Sequence, residues 1–152
     1  MSPEISNNSE REALNVSDNL QRSKKRSSWK IAKDLPTSFL YAAKGLKYAF
    51  STQRNFRIHV GFALVAFSLG LFLGLNKSDL AIMALTATSV LIVELVNTAI
   101  ESVVDLAIGK RFHPLAQIAK DCSAGAVLLA SISSLLIAVL LLFPPLLKTL
   151  GI

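Results

Sequence analysis

The stretch LIVELVNTAIESVVD, residues 91–105, places four polar side chains inside the second of three long apolar runs. They are Glu94, Asn97, Glu101 and Asp105, spaced three, four and four residues apart. At about 100° per residue, this spacing puts all four on one face of a helix. A carboxylate at bilayer depth costs roughly 2.5–3.5 kcal/mol on insertion scales, and such groups face protein, water or a ligand. The stretch therefore predicts a polar seam in a membrane, formed by these four residues and used for chemistry or transport.

The composition is typical of a small membrane protein. The chain has 152 residues, of which 52% are hydrophobic, and its mean hydropathy of +0.51 is high for a soluble domain of this size. Apolar runs cover residues 58–75, 80–108 and 122–147, and about 20 residues suffice for one membrane-spanning helix. The third run is broken late by Pro144-Pro145. We therefore expect an all-α membrane protein with three transmembrane helices.

The residues ahead of the first span divide into a tail and a surface helix. Residues 1–35 are polar and basic, so we expect a disordered cytoplasmic tail that either contacts anionic lipid heads or is simply solvated. Pro36 suits the first turn of a helix, and apolar residues recur at helical spacing over residues 37–52. That pattern predicts an amphipathic helix in the membrane interface. A single functional domain would then cover residues 36–152.

The basic residues predict the orientation in the membrane. Of the 16 Lys and Arg residues, 11 precede the first span and three lie between the second and third spans. Because Lys and Arg favour cytoplasmic loops, we expect a multi-pass protein of the inner or plasma membrane, with a cytoplasmic N-terminus and an external C-terminus. This topology accounts for the formal charge of +6, so we expect no nucleic-acid partner. The single cysteine, Cys122, excludes an intrachain disulfide.

The polar seam leaves three roles open. In catalysis, one carboxylate would take a proton from a hydroxyl nucleophile while another holds a divalent cation. In transport, the carboxylates would relay protons or cations. In a purely structural role, they would bond to neighbouring helices. The chain lacks the P-loop pattern G-x-x-x-x-G-K-[ST], so any use of ATP needs a different nucleotide site.

Two segments near the predicted cytoplasmic surface each have a structural and a functional interpretation. Asp121 is a good N-cap for the third span, with Ser123 as the alternative. In the functional interpretation, Lys120 binds phosphate and Asp121 contributes to a nucleotide site. His113 belongs to a basic loop, where it is either solvated or in contact with a nucleotide.

The seam and three further segments resemble a known family. The motif E-L-V-N-T-A-I-E-S-V-V-D occupies residues 94–105, and A-K-D follows at residues 119–121. Upstream of them stand Y-A-A-K-G-L at residues 41–46 and R-N-F-R at residues 54–57. In these segments the chain is similar to the prokaryotic diacylglycerol kinase family, which includes undecaprenol kinases. The resemblance covers about residues 38–142.

This resemblance implies an ATP-dependent lipid kinase that works at the cytoplasmic face with Mg²⁺, carried as Mg-ATP. It also implies a homotrimer with active sites between subunits. By the same resemblance, Glu94 is the general base for the lipid hydroxyl and Glu101 is a metal ligand. The other site residues that it implies are the supporting Asn97 and Asp105 and the ATP-binding Tyr41, Gln53, His113, Lys120 and Asp121.

One position departs from the family pattern. The family commonly has a second metal-binding glutamate where this chain has Gln53, whose amide oxygen can ligate Mg²⁺ but brings no charge. A catalytically impaired homologue is therefore one rival hypothesis, and a proton-coupled carrier is another. Diacylglycerol is the first choice of substrate. Undecaprenol is the alternative, because N-F-R-I-H at residues 55–59 resembles undecaprenol kinases.

Overall fold

The part of the chain that the structure describes folds into four helices joined by short connections. A computed structural model describes residues 35–109 and 111–151, and within these ranges helix is the only regular secondary structure. The helices are α1 (Leu35–Thr52), α2 (Arg54–Phe72), α3 (Lys77–Ile108) and α4 (Pro114–Leu150). The expected all-α fold is confirmed. The predicted tail lies outside the described residues except for Leu35, which is the first residue of α1.

Three of the four helices in the described part of the chain can cross a membrane. α2, α3 and α4 contain 19, 32 and 37 residues and are long and apolar enough to span a bilayer. The three predicted spans are thereby confirmed, although their ends differ from the apolar runs. α2 ends at Phe72 rather than at residue 75, because Gly74 adopts a φ of +71° and starts the turn into α3.

α4 corrects the sequence prediction at both ends. It begins at Pro114 rather than at residue 122, because proline fits the first turn of a helix and the preceding His113 caps it. It also runs through Pro144 and Pro145 to Leu150, so the predicted late break is wrong. The prolines remove two backbone donors, which a long apolar helix tolerates when local adjustments satisfy the freed carbonyls.

The chain divides into two compact units, Met1–Gly45 and Leu46–Ile152, and each is described by itself. The described part of the first unit is the start of α1. Pro36 lies in the first turn of this helix, as predicted. In the same segment the Lys44 ammonium lies 5.3 Å from the centre of the Tyr41 ring, and Tyr41 is largely exposed. The helix predicted for residues 37–52 is thus present.

In the second unit, α2 and α4 both pack against α3. The contacts of α3 with α4 are the most extensive, those with α2 come next, and α2 touches α4 only slightly. Gly70 lets α2 approach closely: a Cβ at this position would lie 3.3 Å from Leu80 Cδ2 and 3.4 Å from Met83 Cε. At the start of α3, the Asn76 side chain accepts a hydrogen bond from the Asp79 N–H at 2.9 Å. The helix that carries the seam is therefore held from two sides.

Candidate functional site

The polar seam passes from the interior of the second unit to its surface. Glu94 is buried, with 3% of its surface exposed. Asn97 and Glu101 are half-buried, and Asp105 is exposed. Because α3 is continuous through all four positions, their spacing keeps them along one face of the helix. The Glu94 carboxylate is thus enclosed, while the Glu101 carboxylate, two turns further along α3, is partly accessible to solvent.

A chain of hydrogen bonds links the middle of the seam to α4. The Asn97 side chain donates from Nδ2 to Glu101 Oε1 at 3.0 Å. Its Oδ1 accepts from the Ser123 hydroxyl at 2.6 Å. Ser123 itself is buried, with 7% of its surface exposed. Asn97 is therefore held at both ends of its amide, and Glu101 has one oxygen engaged.

Glu94 is the polar group with the least support from its surroundings. Its Oε2 is buried and has no hydrogen-bond partner among the described residues. A buried acceptor without a partner costs about 1–3 kcal/mol, and more when it is charged. Its backbone carbonyl accepts from the Thr98 hydroxyl at 2.9 Å, but this bond leaves the carboxylate untouched. Glu94 therefore has hydrogen-bonding capacity that none of the described residues meets.

Lys120 and Asp105 form an ion pair at the surface end of the seam. Lys120 Nζ lies 2.5 Å from Asp105 Oδ1, with 38% and 61% of the two side chains exposed. Exposed pairs contribute little to stability, on the order of 0–1 kcal/mol, because water and salt screen them. Lys120 is therefore held beside the seam by an ion pair that contributes little to stability.

Asp121 does not cap α4 as the sequence suggests, because His113 caps this helix in its place. The N-cap of α4 is His113, whose Nδ1 accepts a hydrogen bond from the Leu115 N–H at 3.2 Å. Asp121 and Ser123 lie inside the helix, so the prediction that one of them is the cap is wrong. Asp121 is exposed, and among the described residues it forms no ion pair. His113 is exposed as well, and its cap bond leaves only the other ring nitrogen for a ligand.

Gln53 lies at the junction of α1 and α2. It has the N-cap position of α2, but its side chain makes no cap hydrogen bond. Its Nε2 donates weakly to Thr52 Oγ1 at 3.4 Å, which leaves the amide oxygen available. Arg57 fastens this junction by donating to the carbonyls of Phe50 and Ser51, both at 3.1 Å. Within the described residues, no hydrogen bond joins Gln53 to the seam. Tyr41 belongs to the other unit, so its proximity to the seam stays a prediction.

A cavity of about 290 Å³ lies between α2, α3 and α4. Val90, one turn before Glu94, forms part of its wall, and so does His59 on α2. The rest of the lining is mainly apolar, with hydroxyl groups from Thr86, Ser131 and Ser134. The sequence gives no signal of this space, because its small lining residues are ordinary constituents of membrane helices.

The seam suits a cation that arrives with phosphate. Mg²⁺ in nucleotide sites takes one or two carboxylates and completes its coordination with phosphate and water oxygens. The hydrogen bond from Asn97 engages Glu101 Oε1 and leaves Oε2 for such a cation. Among the described residues, no three His, Cys, Asp or Glu side chains cluster to hold a metal by themselves. The donor set therefore fits a cation that takes most of its ligands from phosphate and water oxygens.

The fold defines a membrane protein with a polar seam on its most extensively contacted helix, α3. Comparison with known proteins identifies its family. A sequence model described as "Prokaryotic diacylglycerol kinase" matches residues 40–142. The chain is 49% identical to a "Diacylglycerol kinase" of Synechocystis sp. over 124 residues, which cover 82% of this chain and 71% of the relative.

Two further relatives agree with this match. One is an "Undecaprenol kinase" of Bacillus subtilis, which is 38% identical over 72% of this chain and 88% of the relative's length. The other is a "Diacylglycerol kinase" of Escherichia coli K12, which is 34% identical over 68% of this chain and 84% of the relative's length. The chain belongs to the prokaryotic diacylglycerol kinase family, and it is a membrane enzyme of the diacylglycerol kinase type. The family predicted from the sequence is confirmed.

Proposed function

We propose that the protein is an ATP-dependent kinase that transfers the γ-phosphate to the hydroxyl of a membrane lipid, with diacylglycerol as the first choice. The observation that carries this proposal concerns Glu94, which shares a helix face with Glu101. Its Oε2 is buried and has no hydrogen-bond partner in the described part of the chain. A lipid hydroxyl placed against this oxygen would supply the missing hydrogen bond. The phosphate donor would then lie toward Glu101 and the surface.

In the proposed reaction, Glu94 is the general base. It accepts the hydroxyl proton as the lipid oxygen forms a bond to the γ-phosphorus, while the bond to the β-phosphate oxygen breaks and ADP leaves. Phosphoryl transfer depends mainly on positioning and on neutralising charge. Glu101 would hold Mg²⁺, which supplies that neutralisation when bound with ATP. Asn97 keeps Glu101 oriented through its hydrogen bond.

The remaining nucleotide contacts are proposed at the surface end of the seam. Lys120 would exchange its exposed ion pair with Asp105 for the phosphates of ATP. Asp121 and His113 are exposed nearby in sequence and would contact the nucleotide. Tyr41 is included on the family resemblance alone. This arrangement favours ATP entry from the cytoplasm, with the N-terminus on that side and the C-terminus outside.

A homotrimer is part of the proposal. The spans carry many large apolar side chains that are more than half exposed in a single chain, among them Phe62, Leu129 and Leu135. Lipid tails or further copies of the chain would cover these surfaces in the membrane. The family resemblance implies three copies with active sites between them.

The test of the proposed function is phosphate transfer by the purified protein in mixed micelles. Diacylglycerol and undecaprenol are offered together with Mg-ATP labelled in the γ-phosphate, and the labelled lipids are separated. We expect label mainly in phosphatidic acid. The relative named as an undecaprenol kinase supports the alternative, in which undecaprenyl phosphate carries the label. A folded protein that labels neither lipid would contradict the proposal.

The first prediction concerns Lys120. Lys120→Met keeps the aliphatic stem but removes the ammonium, so we expect KM for ATP to rise roughly 10- to 100-fold, the loss of one charge-assisted contact. KM for the lipid should stay unchanged. Lys77→Met at the start of α3 removes the same charge away from the seam and should have no effect. If the protein were a proton-coupled carrier, neither substitution would change how its activity depends on the ATP concentration.

The second prediction concerns Gln53. Gln53→Glu restores a charged ligand, and we expect the Mg²⁺ concentration for half-maximal rate to fall, on the order of tenfold, because ligand charge strengthens binding of hard cations. The matched control is Ser78→Glu in the first turn of α3, which adds the same charge at an exposed position far along the helix from the seam. An unchanged Mg²⁺ requirement in Gln53→Glu would show that Gln53 does not limit the site.

A further inference from the structure

Ser123 stands apart from the other hydroxyl groups of the spans. Those of α3 and α4 with a hydrogen bond mostly donate to a carbonyl three or four residues earlier in their own helix, which satisfies them without an outside partner. The pairs are Thr86 to Met83, Ser89 to Leu85, Thr98 to Glu94, Ser102 to Thr98, Ser131 to Val127 and Thr149 to Pro145. Among the described residues of these helices, Ser123 is the hydroxyl that also reaches a side chain of another helix.

The single proton of the Ser123 hydroxyl has two acceptors within reach. Asn97 Oδ1 lies at 2.6 Å and the Lys120 carbonyl at 2.9 Å. The choice between them follows from Glu101. A carboxylate oxygen only accepts, so the Asn97 amide must turn its NH₂ toward Glu101 and its oxygen toward Ser123. The Asn97 oxygen that faces Ser123 needs a hydrogen-bond donor, and the Ser123 hydroxyl lies closer to this oxygen than to the Lys120 carbonyl. The hydroxyl proton therefore goes to Asn97.

We propose that Ser123 is a positioning residue for the cation-binding glutamate, acting through Asn97. The hydroxyl fixes the amide, the amide fixes Glu101 Oε1, and Glu101 Oε2 is left aimed for the cation. Groups that orient a metal ligand in this way typically change metal affinity or activity 10- to 100-fold when they are lost. The inference rests on the proposed function, since it takes Glu101 as the ligand of the cation that accompanies ATP.

Removal of the hydroxyl has a definite consequence. In Ser123→Ala, the half-buried Asn97 Oδ1 loses its donor and the amide is free to rotate, so Glu101 samples orientations in which neither oxygen is presented well. Glu94 and Lys120, which are proposed to contact the lipid hydroxyl and the phosphates, are unchanged in this variant. We therefore expect weaker cation binding and a lower kcat, with KM for the lipid unaltered. If the contact between α3 and α4 were merely structural, its loss would lower the stability of the protein without weakening cation binding selectively.

The test measures cation binding directly as well as turnover. Mn²⁺ binding to the full-length protein in micelles is followed by electron paramagnetic resonance with a non-hydrolysable ATP analogue present, and kcat and KM are measured in parallel. For Ser123→Ala we expect a roughly tenfold higher Kd for Mn²⁺ and a similar fall in kcat. Ser123→Thr keeps a hydroxyl and should recover most of the Mn²⁺ affinity. Ser133→Ala, at an exposed serine of the same helix, is the control and should match the wild type.

The outcomes separate this inference from the proposed function. An unchanged Mn²⁺ affinity in Ser123→Ala overturns the role of Ser123, and so does a Thr variant that stays as weak as the Ala variant. In either case a wild-type protein that phosphorylates lipid leaves the proposed function standing. A wild-type protein that binds Mn²⁺ and analogue but transfers no phosphate to any lipid alcohol overturns both.

Discussion

Glu94→Gln should abolish nearly all lipid phosphorylation while leaving the protein folded. The glutamine side chain has the same shape but cannot take the hydroxyl proton, and general-base catalysis contributes on the order of 10²- to 10⁴-fold to rates. We expect kcat to fall by about 10³-fold. The substitution also removes the charge of a buried side chain whose Oε2 has no hydrogen-bond partner among the described residues, so the thermal stability should be equal to or higher than that of the wild type. Turnover is measured with labelled ATP and stability by thermal unfolding in the same micelles.

The matched control for this variant is Asp79→Asn. Asp79 is also an acidic residue of α3, but it lies in the first turn, at the opposite end of the helix from the seam, where its carboxylate accepts from the Asn76 amide at 2.7 Å. The change removes a negative charge from the same helix without touching the seam, so we expect full turnover. If Glu94→Gln retained more than a tenth of the wild-type kcat, the assignment of Glu94 as general base would be wrong.

The spans and the seam could be predicted from the sequence because both are local properties. A long apolar run is sufficient to form a membrane helix, and the spacing of Glu94, Asn97 and Glu101 fixes their common face once the helix exists. The start of α4 could not be read from hydropathy in the same way. Residues 114–121 are polar enough to leave the membrane yet still helical, and the useful signal was Pro114 after His113 rather than the onset of apolar residues.

The site was predicted less completely, because its connections are tertiary. The sequence shows many serines and threonines in the spans, and only the packing of α3 against α4 decides that Ser123 meets Asn97. The pairing of Lys120 with Asp105 has the same origin, since the two residues lie on different helices. Residues at fixed spacing on one helix could be grouped in advance, whereas partners across helices could not.

Glu101→Gln should produce the second large loss, through the cation rather than the proton. The variant keeps an acceptor for the Asn97 amide, so the local hydrogen bond survives, but it removes the charge that would bind Mg²⁺. A metal ion in such a site contributes several kcal/mol to stabilising transition-state charge, which corresponds to roughly 10²- to 10³-fold in rate. We expect a loss of this size in kcat, together with weak Mn²⁺ binding in the presence of an ATP analogue.

The two glutamate variants should differ in how they respond to the cation concentration, and this difference assigns their roles. Excess Mg²⁺ should restore part of the turnover of Glu101→Gln, because it refills a weakened site by mass action. It should restore none in Glu94→Gln, which keeps its cation site and lacks only the proton acceptor, so its Mn²⁺ affinity should equal that of the wild type. Equal responses to Mg²⁺ would mean that the seam acts as one undivided acidic cluster. Opposite responses to those expected would exchange the two roles, with Glu101 as the base and Glu94 as the ligand.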